Sequence, residues 1–105
     1  MTSLENSRRG ELGAMERDLT IDGRIVDSWV EPSGPACEAL RLVLQVAPRG
    51  KPGTLMIVEA EASMVPDTGW LEDLGENLCH GSPVMARGWL TTRGLLAARQ
   101  LRLDR

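Results

Sequence analysis

The residues of this chain best suited to chemistry are cations and an aromatic plate that fall together on one short stretch. His80–Gly94 reads H-G-S-P-V-M-A-R-G-W-L-T-T-R-G, a strand that starts after a glycine and a proline and leaves through a tight Thr92-Arg93-Gly94 turn. Strand side chains alternate faces, so Val84, Ala86, Gly88 and Leu90 suit a core, while Met85, Arg87, Trp89 and Thr91 share the other face. A soft apolar group, a cation, an aromatic ring and a hydroxyl form a surface for a flat, charged partner. Binding single-stranded nucleic acid needs such cations along a groove and flat groups on which bases stack, each stacked base contributing about 1–3 kcal/mol. The outward positions of three strands offer Arg24, Arg41, Arg87 and Trp89 for this purpose, and a loop adds Arg49 and Lys51. With so few stacking groups, the binding expected is weak and strongly salt-dependent. Trp, Met and Arg are equally the residues of a protein interface, so the Trp89 face also fits a dimer contact.

Other chemistries find few parts. His80 is the only histidine, and it sits at an expected helix end, where a solvated side chain is favourable against the helix dipole. Glu59 and Glu61 share a strand face but have no identified partner, and no glycine-rich phosphate loop runs from a strand into a helix. The chain reads as a non-enzyme. Cys37 and Cys79 lack a C-x-x-C spacing, and Cys79-His80 alone cannot complete the four ligands of a zinc shell. Both cysteines are expected reduced and partly buried, with no metal and no cofactor.

The elements that must position these groups follow from composition and period. A chain of 105 residues makes one domain, and 42% apolar against 26% charged residues is a globular balance. The core must be aliphatic, since there are three Trp and neither Phe nor Tyr. No apolar run reaches the roughly 20 residues of a membrane span, and the polar start has no signal-peptide character, so the cytoplasm is the expected location. The net charge of −3 is unevenly spread. Glu59–Cys79 holds six acids and no Lys or Arg, whereas five Arg and one Asp follow His80.

Residues 1–15 read as a flexible arm, with Met15 a plausible alternative start, and 16–105 as the folded domain. Asp18–Val30 gives a first strand with Leu19, Ile21, Gly23 and Ile25 on one face, its inner glycine marking a bulge, bend or close approach. By the same parity Trp29 shares the core side. After a Pro-Ser-Gly-Pro turn, Cys37–Val46 points Leu40, Leu42, Leu44 and Val46 inward. Thr54–Ala62 is a third strand. Trp70, Leu71, Leu74 and Leu78 then form one stripe of a helix over 66–78, ended by Gly81 through a left-handed cap. Leu95–Leu103 completes a hairpin with the His80–Gly94 strand. Strict alternation would place Arg99 beside Leu101 and Leu103, which predicts a bulge or a splayed end there. The order β-β-β-α-β-β predicts an all-β (small α+β) fold, a five-stranded Greek-key OB-fold barrel with one short helix between strands three and four.

Gly23–Leu44, G-R-I-V-D-S-W-V-E-P-S-G-P-A-C-E-A-L-R-L-V-L, resembles the first hairpin of bacterial single-stranded DNA-binding proteins. Its P-S-G-P-A-C turn is similar to that of the primosomal replication protein N branch of the same family. Leu71–Arg93 resembles the family's helix and the Gly-x-Leu strand after it. The resemblance implies an OB-fold, single-stranded DNA as ligand, a homodimer, and replication-restart proteins as partners. The alternative from a different class is an OB-fold protein-interaction module that binds little or no nucleic acid, using the acidic helix or the Met85/Trp89 face.

Overall fold

The computed structural model describes residues 17–104; the expected arm over 1–15 lies outside them. β1 (Arg17–Ser33) is the longest strand, and it serves two neighbours. Its first half, Arg17–Arg24, pairs antiparallel with β4 (Pro83–Leu90), and its second half, Gly23–Ser33, with β2 (Ala39–Pro48). The handover falls at Gly23, where the strands pass so closely that a Cβ would run into the carbonyl of Ala47. Only glycine permits that approach.

β3 (Met56–Glu61) pairs antiparallel with β2, and β5 (Leu95–Leu103) antiparallel with β4. A short parallel ladder, Ile57–Glu59 against Leu95–Ala97, closes the sheet. The resulting order around the closed barrel is β1-β2-β3-β5-β4. With a helix between β3 and β4, this is the five-stranded Greek-key barrel of the OB-fold.

The interior is aliphatic. Leu42, Leu44, Val46, Val58, Leu74 and Leu96 are all fully buried, and burial of each such side chain stabilises the fold by roughly 1.5–3 kcal/mol. Leu74 comes from α1 (Thr68–Gly75), which plugs one end of the barrel with Trp70 and Leu71 half-buried beside it. Asp67 caps the first turn of α1, its Oδ1 accepting from the Trp70 N–H at 2.9 Å. The hydroxyl of Ser28, buried on β1, donates to the Leu74 carbonyl at 2.6 Å and fastens the helix end to the barrel.

Several expectations are corrected. A register shift between Ile25 and Asp27 leaves Val26 bulged, which reverses the parity of β1. Ser28 and Val30 therefore follow Ile25 to the inside, and Trp29 lies half-buried on the outside, opposite Val43. The helix ends earlier than its apolar stripe, because Asn77 takes the left-handed turn (φ 59°) expected of Gly81. The Leu78 N–H then bonds the Asp73 carbonyl at 2.8 Å and the Asn77 N–H that of Leu74 at 3.2 Å, the paired bonds of a Schellman end. Leu78, past that reversal, is exposed rather than on the stripe. Leu40 is also exposed, since it pairs with Pro32 near the end of the β1–β2 hairpin, two residues beyond Leu42, where the core ends. Cys79 is buried, but Cys37 is exposed in the β1–β2 turn.

Candidate functional site

The outer surface of the barrel divides into two walls. One is built from the first half of β1 with β4 and β5. Its cross-strand rows run Asp22–Met85–Arg102, Thr20–Arg87–Gln100 and Asp18–Trp89–Ala97. Between the last two rows the β4–β5 register shifts, Arg87 facing Gln100 and Gly88 facing Ala98, so Arg99 is the extra residue of a bulge. Of the bulge or splayed end that the alternation predicts, the strand takes the bulge, and it re-aims a side chain. Released from the inward parity, the Arg99 guanidinium lies over the Trp89 ring, 4.8 Å from its centroid, within cation–π range. Gly88 makes the arrangement possible, because a Cβ there would collide with the Ala97 carbonyl and Ala98 Cα.

Electrostatics tie this wall together. Arg87 Nη2 donates to Asp18 Oδ2 at 2.9 Å, and Arg99 Nη2 stands 3.9 Å from Asp18 Oδ1. The hydrogen bond from Arg87, with the charges of Arg87 and Arg99 behind it, holds the Asp18 carboxyl below its usual range, and Asp18 in turn raises Arg87. All three side chains remain open to water, so the ion pairs contribute little to stability. Trp89 is 42% exposed. Arg102 is exposed on the same wall, and a shallow recess of about 300 Å³ is lined by Arg87, Arg99 and Gln100.

The other wall consists of the second half of β1 with β2 and β3. Its outward residues are Asp27, Trp29 and Glu31, then Arg41, Val43 and Gln45, then Ile57, Glu59 and Glu61. Four are carboxylates and one is a cation. Arg41 is engaged by Glu31 at 2.8 Å and by Glu59 at 3.9 Å. The indole Nε1 of Trp29 donates to Glu31 at 3.3 Å, and Val43 is buried between Trp29 and Glu59 in the cross-strand pairing. OB-folds commonly hold oligonucleotides on this β2–β3 side and its adjoining loops. Here the β1–β2 loop carries no cation and the β4–β5 turn only Arg93.

The six residues singled out from the sequence thus separate into three places. Arg87 and Trp89 come together on the basic wall. Arg24, at the edge of that wall, donates from Nη1 to the Gly81 carbonyl at 2.8 Å. Arg49 and Lys51 lie on the exposed β2–β3 loop, where Arg49 Nε is 3.5 Å from Asp22 Oδ2. Arg41 belongs to the acidic wall. Sequence reasoning did not select Arg99 and Arg102 as site residues. The break in alternation at Arg99 was the available signal, and it announced the bulge without naming what the freed cation reaches.

Among the described residues no group of three or more His, Cys, Asp or Glu is placed to hold a metal ion, and no helix is long and apolar enough to cross a membrane. Neither the family models nor the curated proteins contain a match to this chain.

Proposed function

We propose that this protein is a small OB-fold single-stranded DNA-binding protein or primosomal accessory of DNA replication and restart. It engages the strand on the β1–β4–β5 wall by electrostatics and limited tryptophan stacking. The carrying observation is the exposed Trp89, set among Arg87, Arg99 and Arg102 on one wall. A base stacks on the open part of the indole while the guanidinium groups meet the backbone phosphates. The homodimer, the replication-restart partners and the cytoplasmic location that the family resemblance implies belong to the same proposal.

A fluorescence titration with oligo-dT tests it. Tryptophan emission is expected to be quenched at low salt, with the affinity falling as salt rises at a log–log slope of about −2 for three phosphate contacts. The quench is expected to vanish in Trp89→Ala. Absence of binding at low salt sinks the proposal.

A second reading has its own support in the acidic wall. With Asp27, Glu31, Glu59 and Glu61 on the side where OB-folds take oligonucleotides, that side suits a basic protein partner. The same titration distinguishes the two, since a protein-interaction module leaves oligo-dT unbound.

A further inference from the structure

Three strands converge on a single carboxylate at the Trp89 end of the basic wall. Asp18 of β1 receives Arg87 of β4 on Oδ2 at 2.9 Å and faces Arg99 of β5 from Oδ1 at 3.9 Å. We infer that Asp18 is an internal stand-in for a phosphate, filling the subsite that a backbone phosphate of the bound strand takes between Arg87 and Arg99. The inference rests on the nucleic-acid reading of this wall.

The geometry has the parts of a phosphate subsite. Two guanidinium groups meet two anionic oxygens, the arrangement that Arg offers to carboxylate and phosphate alike. The adjoining recess of about 300 Å³ is lined by Arg87, Arg99 and Gln100, with no apolar side chain among them. Arg99 also covers the Trp89 ring at 4.8 Å, so a phosphate drawn between the arginines leaves its nucleotide beside the indole. The exchange needs no opening of the core, because the Asp18, Arg87 and Arg99 side chains are 38%, 51% and 54% exposed. The bulge at Arg99 acquires a purpose on this view, since without it no second cation reaches Asp18.

Asp18 therefore sets the affinity of the wall. An incoming phosphate must displace it, and the released carboxylate then gathers a cation from solution, which offsets part of the counterion release that drives binding. Asp18 offsets one of the two positive charges of Arg87 and Arg99 until a polyanion competes for the pair, which disfavours isolated anions and rewards a chain of phosphates.

The test compares wild-type protein, Asp18→Asn and the charge-matched Asp22→Asn in oligo-dT titrations across salt. Asparagine keeps a side-chain oxygen that accepts from Arg87, and thermal melts verify that each variant is folded. Asp18→Asn is expected to bind about fivefold tighter than wild type at low salt. Its salt slope should be steeper by about 0.7 for the counterion no longer recaptured. Asp22→Asn, whose carboxylate faces Arg49 on the loop, is expected to gain less than about twofold. Equal gains in the two variants, or wild-type binding that Asp18→Asn does not improve, overturns the role of Asp18 and leaves the nucleic-acid reading standing. Binding by Asp18→Asn without binding by wild type sinks the nucleic-acid reading of the natural protein, and the stand-in with it. No binding by any of the three proteins removes both.

Discussion

The two outer walls of this barrel are made by the same kind of strand and even share β1, yet they are chemical opposites. The β1–β4–β5 wall sets Arg24, Arg87, Arg99 and Arg102 against Asp18 and Asp22, around an exposed indole. The β1–β2–β3 wall sets four carboxylates against Arg41, and its indole is half-buried with its N–H committed to Glu31. Two tryptophans on strand exteriors thus have different work. Trp29 helps cover Val43, while Trp89 is presented. The difference arises at two bulges, one at Val26 that turns Trp29 outward onto the acidic wall, and one at Arg99 that brings a cation over Trp89. Strand geometry is common to both walls, and a single extra residue in each decides what its aromatic does.

The strongest way to break the contrast is to remove the glycine that permits the second bulge. Gly88→Ala places a methyl against main chain at Ala97 and Ala98, which cannot swing aside as a side chain would. The expected cost is about 3 kcal/mol, a fall in Tm on the order of 10–20 °C, together with loss of oligo-dT binding. A melt within a few degrees of wild type would mean that the β4–β5 pairing is looser than described. Next in size is the tryptophan exchange. Trp89→Ala should weaken oligo-dT binding by about 5- to 150-fold, the equivalent of 1–3 kcal/mol of stacking, at nearly unchanged stability. Trp29→Ala should do the reverse, lowering stability through the exposure of Val43 and leaving affinity within about twofold.

Much of this was legible in the sequence, and what was not has a common cause. The inward Leu42-Leu44-Val46 series and the Trp70-Leu71-Leu74 part of the helical stripe are local patterns. So was the conflict at Arg99, where strict alternation would have buried a cation. The bulge at Val26 left no such conflict, because Trp29 is acceptable on either face and nothing nearby in the chain fixes which. Left-handed turns occur at both Asn77 and Gly81 (φ 59° and 88°), and the stop at the first is held by β1, where the Ser28 N–H donates to Asn77 Oδ1 and the Ser28 hydroxyl to the Leu74 carbonyl. Asp18 and Arg87 are separated by 69 positions, so their pairing depends on a β1–β4 register that no local pattern contains. Parity marks Arg24, Arg41 and Arg87 as outward and Arg49 and Lys51 as loop residues, but only the strand order separates Arg41 from Arg24 and Arg87 onto the opposite wall.

A smaller effect sharpens the comparison from the acidic side. Replacing Glu59 and Glu61 together by Gln removes two carboxylates from the wall opposite Trp89. At physiological ionic strength, exposed charges farther apart than about 8 Å are largely screened, so oligo-dT affinity should rise by no more than about twofold. A rise as large as that of Asp18→Asn would show that the strand lies across β2 and β3 instead, the side other OB-folds use.

The smallest predicted change reads the electrostatics of the basic wall without any ligand. Asp18 titrates below its usual range, first because Arg87 donates a hydrogen bond to its carboxylate, then through the charges of Arg87 and Arg99. Its folded value therefore lies under its unfolded one, so the stability it contributes is present at neutral pH and is lost as the pH falls through the folded value. With the side chain so open to water, that contribution is too small for a melt to resolve, and carboxyl chemical shifts followed by NMR through acid pH are the suitable measurement. Arg87→Gln should move the Asp18 midpoint up toward the ordinary aspartate value, and Arg99→Gln should move it in the same direction by less, since its guanidinium acts at 3.9 Å without a hydrogen bond. If the two variants shift it equally, Arg99 is bonded to Asp18 as closely as Arg87 is, and the indole has lost its cation. If neither shifts it, the carboxylate does not bridge the two arginines, and the basic wall is a set of independent charges around Trp89.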